Sequence, residues 1–159
     1  RFMNDGNIKW RKLLYAMNLQ LLRKISRSTE VEHEKPVCLI IDDTDAPKSG
    51  RKSEFVGKVF FHIQHKTILG YNCLTLLLSD GMSQLFLDYS LHGEEGRNPE
   101  KKQGLTDKQR SELFSTDYTG RSVEERINEY TMKKSDKAIE MVTYATKRGV
   151  RFDYLLVDR

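Results

Sequence analysis

Three acids, Asp42, Asp43 and Asp45, fall within four positions directly after the apolar run Val37-Cys38-Leu39-Ile40-Ile41. The run is rich in β-branched residues, follows Pro36, and reads as a strand buried on both faces. The final stretch Phe152-Asp153-Tyr154-Leu155-Leu156-Val157-Asp158-Arg159 repeats the design, an apolar strand delivering Asp158 at its end. A carboxylate at the end of a buried strand carries a desolvation cost unless something compensates it. A metal ion, a basic side chain or a wet sheet edge would do so. Acids from two neighbouring strand ends suit phosphodiester chemistry. There, two divalent ions about 4 Å apart activate the attacking oxygen and stabilise the leaving one. Hard ions such as Mg²⁺ take oxygen ligands. The spacing is weakly specific, because many α/β proteins carry acids at strand ends, and simple strand-end capping stays open.

Other residues compete for attention. The loop Ala46-Pro47-Lys48-Ser49-Gly50-Arg51-Lys52 is turn-rich and basic, and it lies beside the acids. It is either a solvated loop or a phosphate contact. His62 and His65 stand three apart, which does not match the two-residue period of a strand, so they are poor candidates for a shared metal. Asp88 reads as a solvent-facing strand residue. Cys38 and Cys73 lie in apolar runs and read as reduced core residues, a pattern that suits an intracellular protein.

The elements that would position the acids follow from periodicity. Residues 7 to 27 read as an amphipathic helix with Trp10, Leu13, Leu14, Met17, Leu21 and Ile25 on its apolar face. Arg11, Lys12, Arg23, Lys24 and Arg27 lie elsewhere on it, either solvated or touching DNA. Residues 28 to 36 connect it to the first strand, and Val59 to His65 form a short strand or an irregular crossing. Ile68 to Ser79 and Met82 to Leu91 read as a hairpin whose Asp80-Gly81 is a type I′ turn signal. Leu85, Leu87, Tyr89 and Leu91 form the apolar face of its return strand. Residues 92 to 120 read as an exposed insertion, with a short helix near 106 to 114. Ser122-Val123-Glu124-Glu125 matches a capping box, opening a helical stretch to about Lys147. Lys133-Lys134 would interrupt that stretch or expose its middle, and Gly149 is placed to end it before a strand at 152 to 158. Strand, hairpin, helix, strand predicts a mixed α/β sheet. The first strand and the hairpin would pair antiparallel, and the last strand would run parallel to the first. That arrangement puts Asp43 and Asp158 at one end of the sheet.

The 159 residues, 38% apolar and 31% charged, suffice for one domain with a real core. Twenty-seven basic against 23 acidic residues give a net charge of +4, a mild excess that permits a nucleic-acid partner without requiring one. No stretch has the roughly 20 apolar residues of a membrane span, and no signal peptide is visible. A start at Arg1 without Met suggests a piece of a longer protein.

Several motifs together add what spacing cannot. Leu39-Ile40-Ile41-Asp42-Asp43-Thr44, Gly70-Tyr71-Asn72, Leu76-Leu77-Leu78-Ser79-Asp80-Gly81 and Phe152-Asp153-Tyr154-Leu155-Leu156-Val157-Asp158 resemble the catalytic domain of DDE transposases of bacterial insertion sequences. Gly104-Leu105-Thr106, Arg126-Ile127-Asn128-Glu129 and Lys134-Ser135-Asp136-Lys137 are similar to that family as well. The resemblance covers most of residues 37 to 158. It implies an RNase H-like fold, with residues 1–36 as an N-terminal helix and connection and 37–159 as a partial catalytic domain. It implies metal-dependent DNA cleavage and strand transfer at transposon ends. Asp43, the Asp preceding Thr, and Asp158 would be the first two catalytic acids and ligands of two divalent ions, Mg²⁺ or Mn²⁺. Asp42 is the rival for the first position, although strand alternation would turn it to the opposite face. Asp45 has a loop-capping role as its ordinary reading. The third acid of the family, a Glu on a later helix, would fall beyond Arg159, so this piece alone should be nearly inactive. Arg159 matches only some branches of the family. Lys48, Arg51, Lys52 and Lys66 would contact the DNA backbone. The implied partners are double-stranded DNA, at transposon ends and target, and further copies of the protein in a homodimer or higher synaptic assembly. The implied setting is the bacterial cytoplasm, at the nucleoid. Two alternatives stay open: a metal-dependent nuclease of the same fold, and a catalytically dead, transposase-derived DNA-binding module.

Overall fold

The computed structural model describes residues 8–28, 36–49, 56–92, 125, 128–129 and 132–157, with the side chains of 10 and 25–28 left aside. The described elements are α1 (Trp10–Ser28), β1 (Cys38–Pro47), β2 (Gly57–Phe61), β3 (Lys66–Ser79), β4 (Gln84–His92), α2 (Lys134–Lys147) and β5 (Tyr154–Val157). The architecture is α/β, with a mixed five-stranded sheet. β1 pairs antiparallel with β3 along its whole length and parallel with β5. On its other edge, β3 pairs first with β2, over Lys66 to Gly70, and then with β4, over Asn72 to Ser79. The parallel pair has the helix crossover that a parallel connection needs. The expected strand pairing is therefore present, and β2 is a true strand. Among the described residues no helix is long and apolar enough to cross a membrane.

Both helices lie on one face of the sheet. Leu39, Ile41, Leu74, Leu76, Leu78 and Leu87 from the strands form the core with Tyr15 of α1 and with Met141 and Ala145 of α2. β1 is not equally buried on its two faces. Leu39 and Ile41 are buried, whereas Cys38 and Ile40 on the opposite face are half-buried. Cys38 and Cys73 are free thiols, and both are half-buried rather than core residues.

The helix α1 turns a different side to the sheet than its apolar spacing predicts. Tyr15 and Asn18 are buried and Leu14, Leu19 and Leu22 half-buried, while Leu13, Met17 and Leu21 are exposed. The buried stripe is displaced by one residue, about 100° around the helix. The cause lies on β4. A register shift opposite Leu76/Leu77 leaves Leu87 without a partner, a β-bulge that puts consecutive residues Leu87 and Asp88 both inside. Asp88 is thus not solvent-facing but 1% exposed, and Tyr89, expected on the apolar face, is 45% exposed. Arg11, Tyr15 and Asn18 rotate inward to meet the polar groups that the bulge exposes.

Two connections differ in detail from expectation. The β3–β4 loop runs over four residues, with Ser79 paired to Gln84, and is not a two-residue type I′ turn. The Asp80 carboxylate accepts the N–H groups of Met82 and Ser83, so Asp80 shapes the loop through its side chain, and only Gly81 takes a positive φ, of 80°. At the end of α2, Gly149 does stop the helix, at φ 86°. Its N–H donates to Thr146 O and that of Val150 to Ala145 O, a Schellman closure that carries Val150 into the core. α2 begins at Lys134, in agreement with an interruption at Lys133-Lys134. The expected Ser122 cap lies outside the described residues.

Candidate functional site

Asp43 is the sixth residue of β1, on the same side of the strand as Leu39 and Ile41. Its side chain is 44% exposed. Lys134, the first residue of α2, places Nζ 2.5 Å from Asp43 Oδ2. Asp42 points to the opposite face, and its backbone carbonyl accepts the Thr75 hydroxyl. Asp45 is not in a loop. β1 continues through it, and its Oδ1 accepts the amide of Asn72 Nδ2 at 3.2 Å.

The parallel register of β1 with β5 reaches Ile41 opposite Val157. Asp43 lies two residues beyond Ile41 on β1, and in the sequence Asp158 is the residue after Val157; Asp158 itself lies outside the described residues, as do Arg51, Lys52 and Arg159. β5 is stapled to the start of β1 at its other end, where Asp153 Oδ2 accepts the Val37 N–H at 2.8 Å. A groove of about 540 Å³ lined by Val37, Thr146, Val150, Arg151, Phe152 and Asp153 lies at that far end, away from Asp43.

Of the basic residues expected to contact DNA, Lys48 and Lys66 are described, and neither touches Asp43 among the described residues. Lys48 is exposed, and its backbone N–H donates to Leu69 O. It stands five residues beyond Asp43, roughly 16 Å along an extended chain. Lys66 is exposed beside Phe61 at the opposite end of β3 from Ser79. It precedes Leu74, the partner of Asp43, by eight residues, roughly 26 Å of strand. His62 and His65 form an exposed 3₁₀ turn and its left-handed terminus rather than a strand. Among the described residues no three His, Cys, Asp or Glu side chains are grouped to hold a metal ion.

Next to Asp43 the covered face of the sheet is polar. Asn72 and His92 are cross-strand partners and, with Ser90, are nearly fully buried. His92 Nδ1 lies 3.2 Å from Met132 O, and because a carbonyl only accepts, Nδ1 carries the proton. Its Nε2, Asn72 Oδ1 and Ser90 Oγ have no hydrogen-bond partner among the described residues. Burial pushes His92 down to about 4, aided by Lys134 and Lys137 and opposed by the Met132 carbonyl and Asp43. Burial, then Asp43, pushes the Cys73 thiol up, which disfavours a nucleophilic role.

A second charged cluster ties the helices to β4. Arg11 donates through Nε, at 2.7 Å, and through NH2 to Asp88 Oδ2, and reaches Glu140 at 3.3 Å. Its guanidinium lies over the Tyr144 ring at 4.7 Å. Burial opposes the Arg11 charge, but Asp88 and Glu140 outweigh it and hold its titration above the usual range. Burial and Asp88 push the Tyr15 hydroxyl upward. Lys137, buried, bridges Glu129 and Glu140, and burial depresses its titration.

Two of these residues escape sequence reading. Asp88 is hidden by the bulge, which no alternation pattern displays. Lys134 does leave a signal: a lysine at a helix N-terminus opposes the macrodipole and calls for a compensating acid. Comparison with protein-family models, with curated proteins and with solved structures returns no match.

Proposed function

We propose that the chain is part of a DDE transposase catalytic domain with an RNase H-like fold, in which Asp43 and Asp158 bind divalent ions. The observation that carries this reading is the parallel β1–β5 register, whose last described pair, Ile41 and Val157, stands two residues before Asp43 and one residue before Asp158 in the sequence, at the same end of the two strands. The mixed sheet, with β1 between the antiparallel β3 and the parallel β5, is compatible with such a fold. Asp43 also fits a hard cation chemically. Its carboxylate is accessible and already holds an ammonium, while Asp45 is engaged by Asn72 and Asp42 faces away.

The metal, when bound, activates an attacking oxygen and stabilises a leaving one in phosphoryl transfer on DNA. The sheet contributes rigidity, since ten consecutive pairs lock β1 to β3 and fix the backbone that carries Asp43. Lys48, Arg51, Lys52 and Lys66 supply backbone contacts to DNA away from the reacting phosphate, so affinity should fall with salt. The transposon-end duplex and further copies of the protein are the partners of this reading.

The test is a Mn²⁺ titration followed by NMR line broadening, on the chain and on Asp43→Ala and Asp158→Ala. Broadening centred on the ends of β1 and β5, and lost in either variant, supports a shared metal site. Broadening that ignores both substitutions leaves the acids as strand-end caps and ends the reading.

A further inference from the structure

Lys134 has no local reason to be where it is. It opens α2, where the partial positive charge of the helix N-terminus disfavours a cation, and the preceding residue, Lys133, offers no side-chain cap. Its side chain is nevertheless folded down to 25% exposure against Asp43. The contact joins the one described acid of the proposed metal site to the one described cation that touches it. Lys48 is roughly 16 Å of extended chain from Asp43, and Lys66 roughly 26 Å of strand from Leu74, the partner of Asp43.

We infer that Lys134 is a built-in counter-cation that occupies the metal position at Asp43 and must be displaced when a divalent ion binds. The inference rests on the reading of Asp43 as a metal ligand and deepens it. An ammonium 2.5 Å from Oδ2 and an ion that ligates carboxylate oxygen at about 2.1 Å cannot share that oxygen without strong like-charge repulsion. The exchange is feasible because the pair is partly exposed. Water can solvate the departing ammonium, and its four-carbon stem gives it room to swing away. In the metal-free protein the same contact closes the gap between the start of α2 and the end of the sheet. Metal entry would therefore loosen the first turn of α2 as it fills the site. The site becomes selective for dications, because a monovalent ion gains too little from Asp43 to replace a tethered ammonium.

The test is the apparent Mn²⁺ affinity at Asp43, read from concentration-dependent broadening of the amides around Asp43 and Leu74. It is measured in the unaltered chain and in Lys134→Met, Lys134→Arg and Asp43→Ala. Lys134→Met should bind on the order of tenfold more tightly, and Lys134→Arg, which keeps the competing charge, should stay near the unaltered chain. Unchanged or weaker binding in Lys134→Met, with broadening still abolished by Asp43→Ala, overturns the inference and leaves the metal reading standing. Equal tightening in Lys134→Arg overturns it too, because charge competition would not be the cause. Broadening that survives Asp43→Ala removes the metal reading and the inference together. A ¹⁵N spectrum of each variant that matches the unaltered chain away from α2 excludes unfolding as the source of any change.

Discussion

Asp88 and Asp43 sit on the same face of one sheet, and each is held by a basic side chain from a helix, yet the two pairs are built for different purposes. Asp88 is 1% exposed and takes two N–H groups of Arg11, which also stacks on Tyr144 and reaches Glu140. Asp43 is 44% exposed and meets a single ammonium, from Lys134. A guanidinium fork in a buried network fixes geometry, whereas a lone ammonium at a wet edge is exchangeable. The difference separates an acid that fastens α1 to β4 from an acid that is available to a ligand. Acids on a covered sheet face are thus not equivalent candidates for chemistry, and exposure with a replaceable partner is the better marker.

The sharpest way to break the comparison is to remove each cation in turn. Arg11→Met leaves the Asp88 carboxylate buried without its main partner and should cost about 3–5 kcal/mol in urea unfolding. The matching loss in Lys134→Met should be at most about 1 kcal/mol, as for other exposed pairs. Equal losses would mean that both pairs are structural.

Acid should act on the buried side. His92 is 2% exposed and titrates near 4, against an ordinary 6.5. Its folded-state value is lowered, so the unfolded chain takes up the proton first as the pH falls. The stability that His92 contributes is complete above about pH 6.5 and is lost as the pH falls through 6.5 towards 4, by at most about 3 kcal/mol. Stability curves measured across that window should slope downward with acid, and the slope should flatten in His92→Gln. An unaltered slope would place the acid sensitivity elsewhere, with the carboxylates as the next candidates.

α2 carries residues of both pairs, Lys134 at its start and Glu140 further along, so its anchoring should affect both. Gly149 holds φ 86° in the closure that turns the chain into β5. Gly149→Ala meets open space, so its cost is the backbone conformation alone, about 1 kcal/mol in thermal or urea unfolding. A loss of this size that leaves Mn²⁺ affinity unchanged would show that the helix end and the Asp43 site are independent.

What the sequence made legible follows from how local each determinant is. β1, β3, α2 and the Gly149 stop are written in short patterns: an apolar run, an alternation, a capping glycine. The parallel β1–β5 pairing follows from handedness and crossover rules that the element order alone supplies. The side of α1 that is buried was not legible, because a one-residue bulge at Leu87 in a distant strand decides it. Leu13, Met17 and Leu21 have the right spacing for a core stripe, yet Arg11, Tyr15 and Asn18 take the sheet because Asp88 and the Phe86 carbonyl need donors. Asp43 could be picked from its strand, but its pairing with Lys134 could not, since a lysine at a helix N-terminus calls for an acid without saying which, and this one lies 91 residues away. Lys48, picked out because its loop follows the acids, lies just past the end of β1, and Lys66 opens β3 at the end away from Ser79.

The smallest expected effect is also the most informative. Asp43→Asn keeps the shape of the side chain, removes its charge and leaves the Lys134 ammonium partly solvated at the sheet edge. Stability should change by less than about 1 kcal/mol. Metal response at the β1 end should nonetheless disappear, because an amide oxygen is a far weaker ligand for a hard dication than a carboxylate. A protein that tolerates loss of the charge in folding but not in metal binding is using Asp43 as a site. The reverse result, a loss of several kcal/mol with metal response intact, would move Asp43 into the class of Asp88 and make the Lys134 contact a structural clasp.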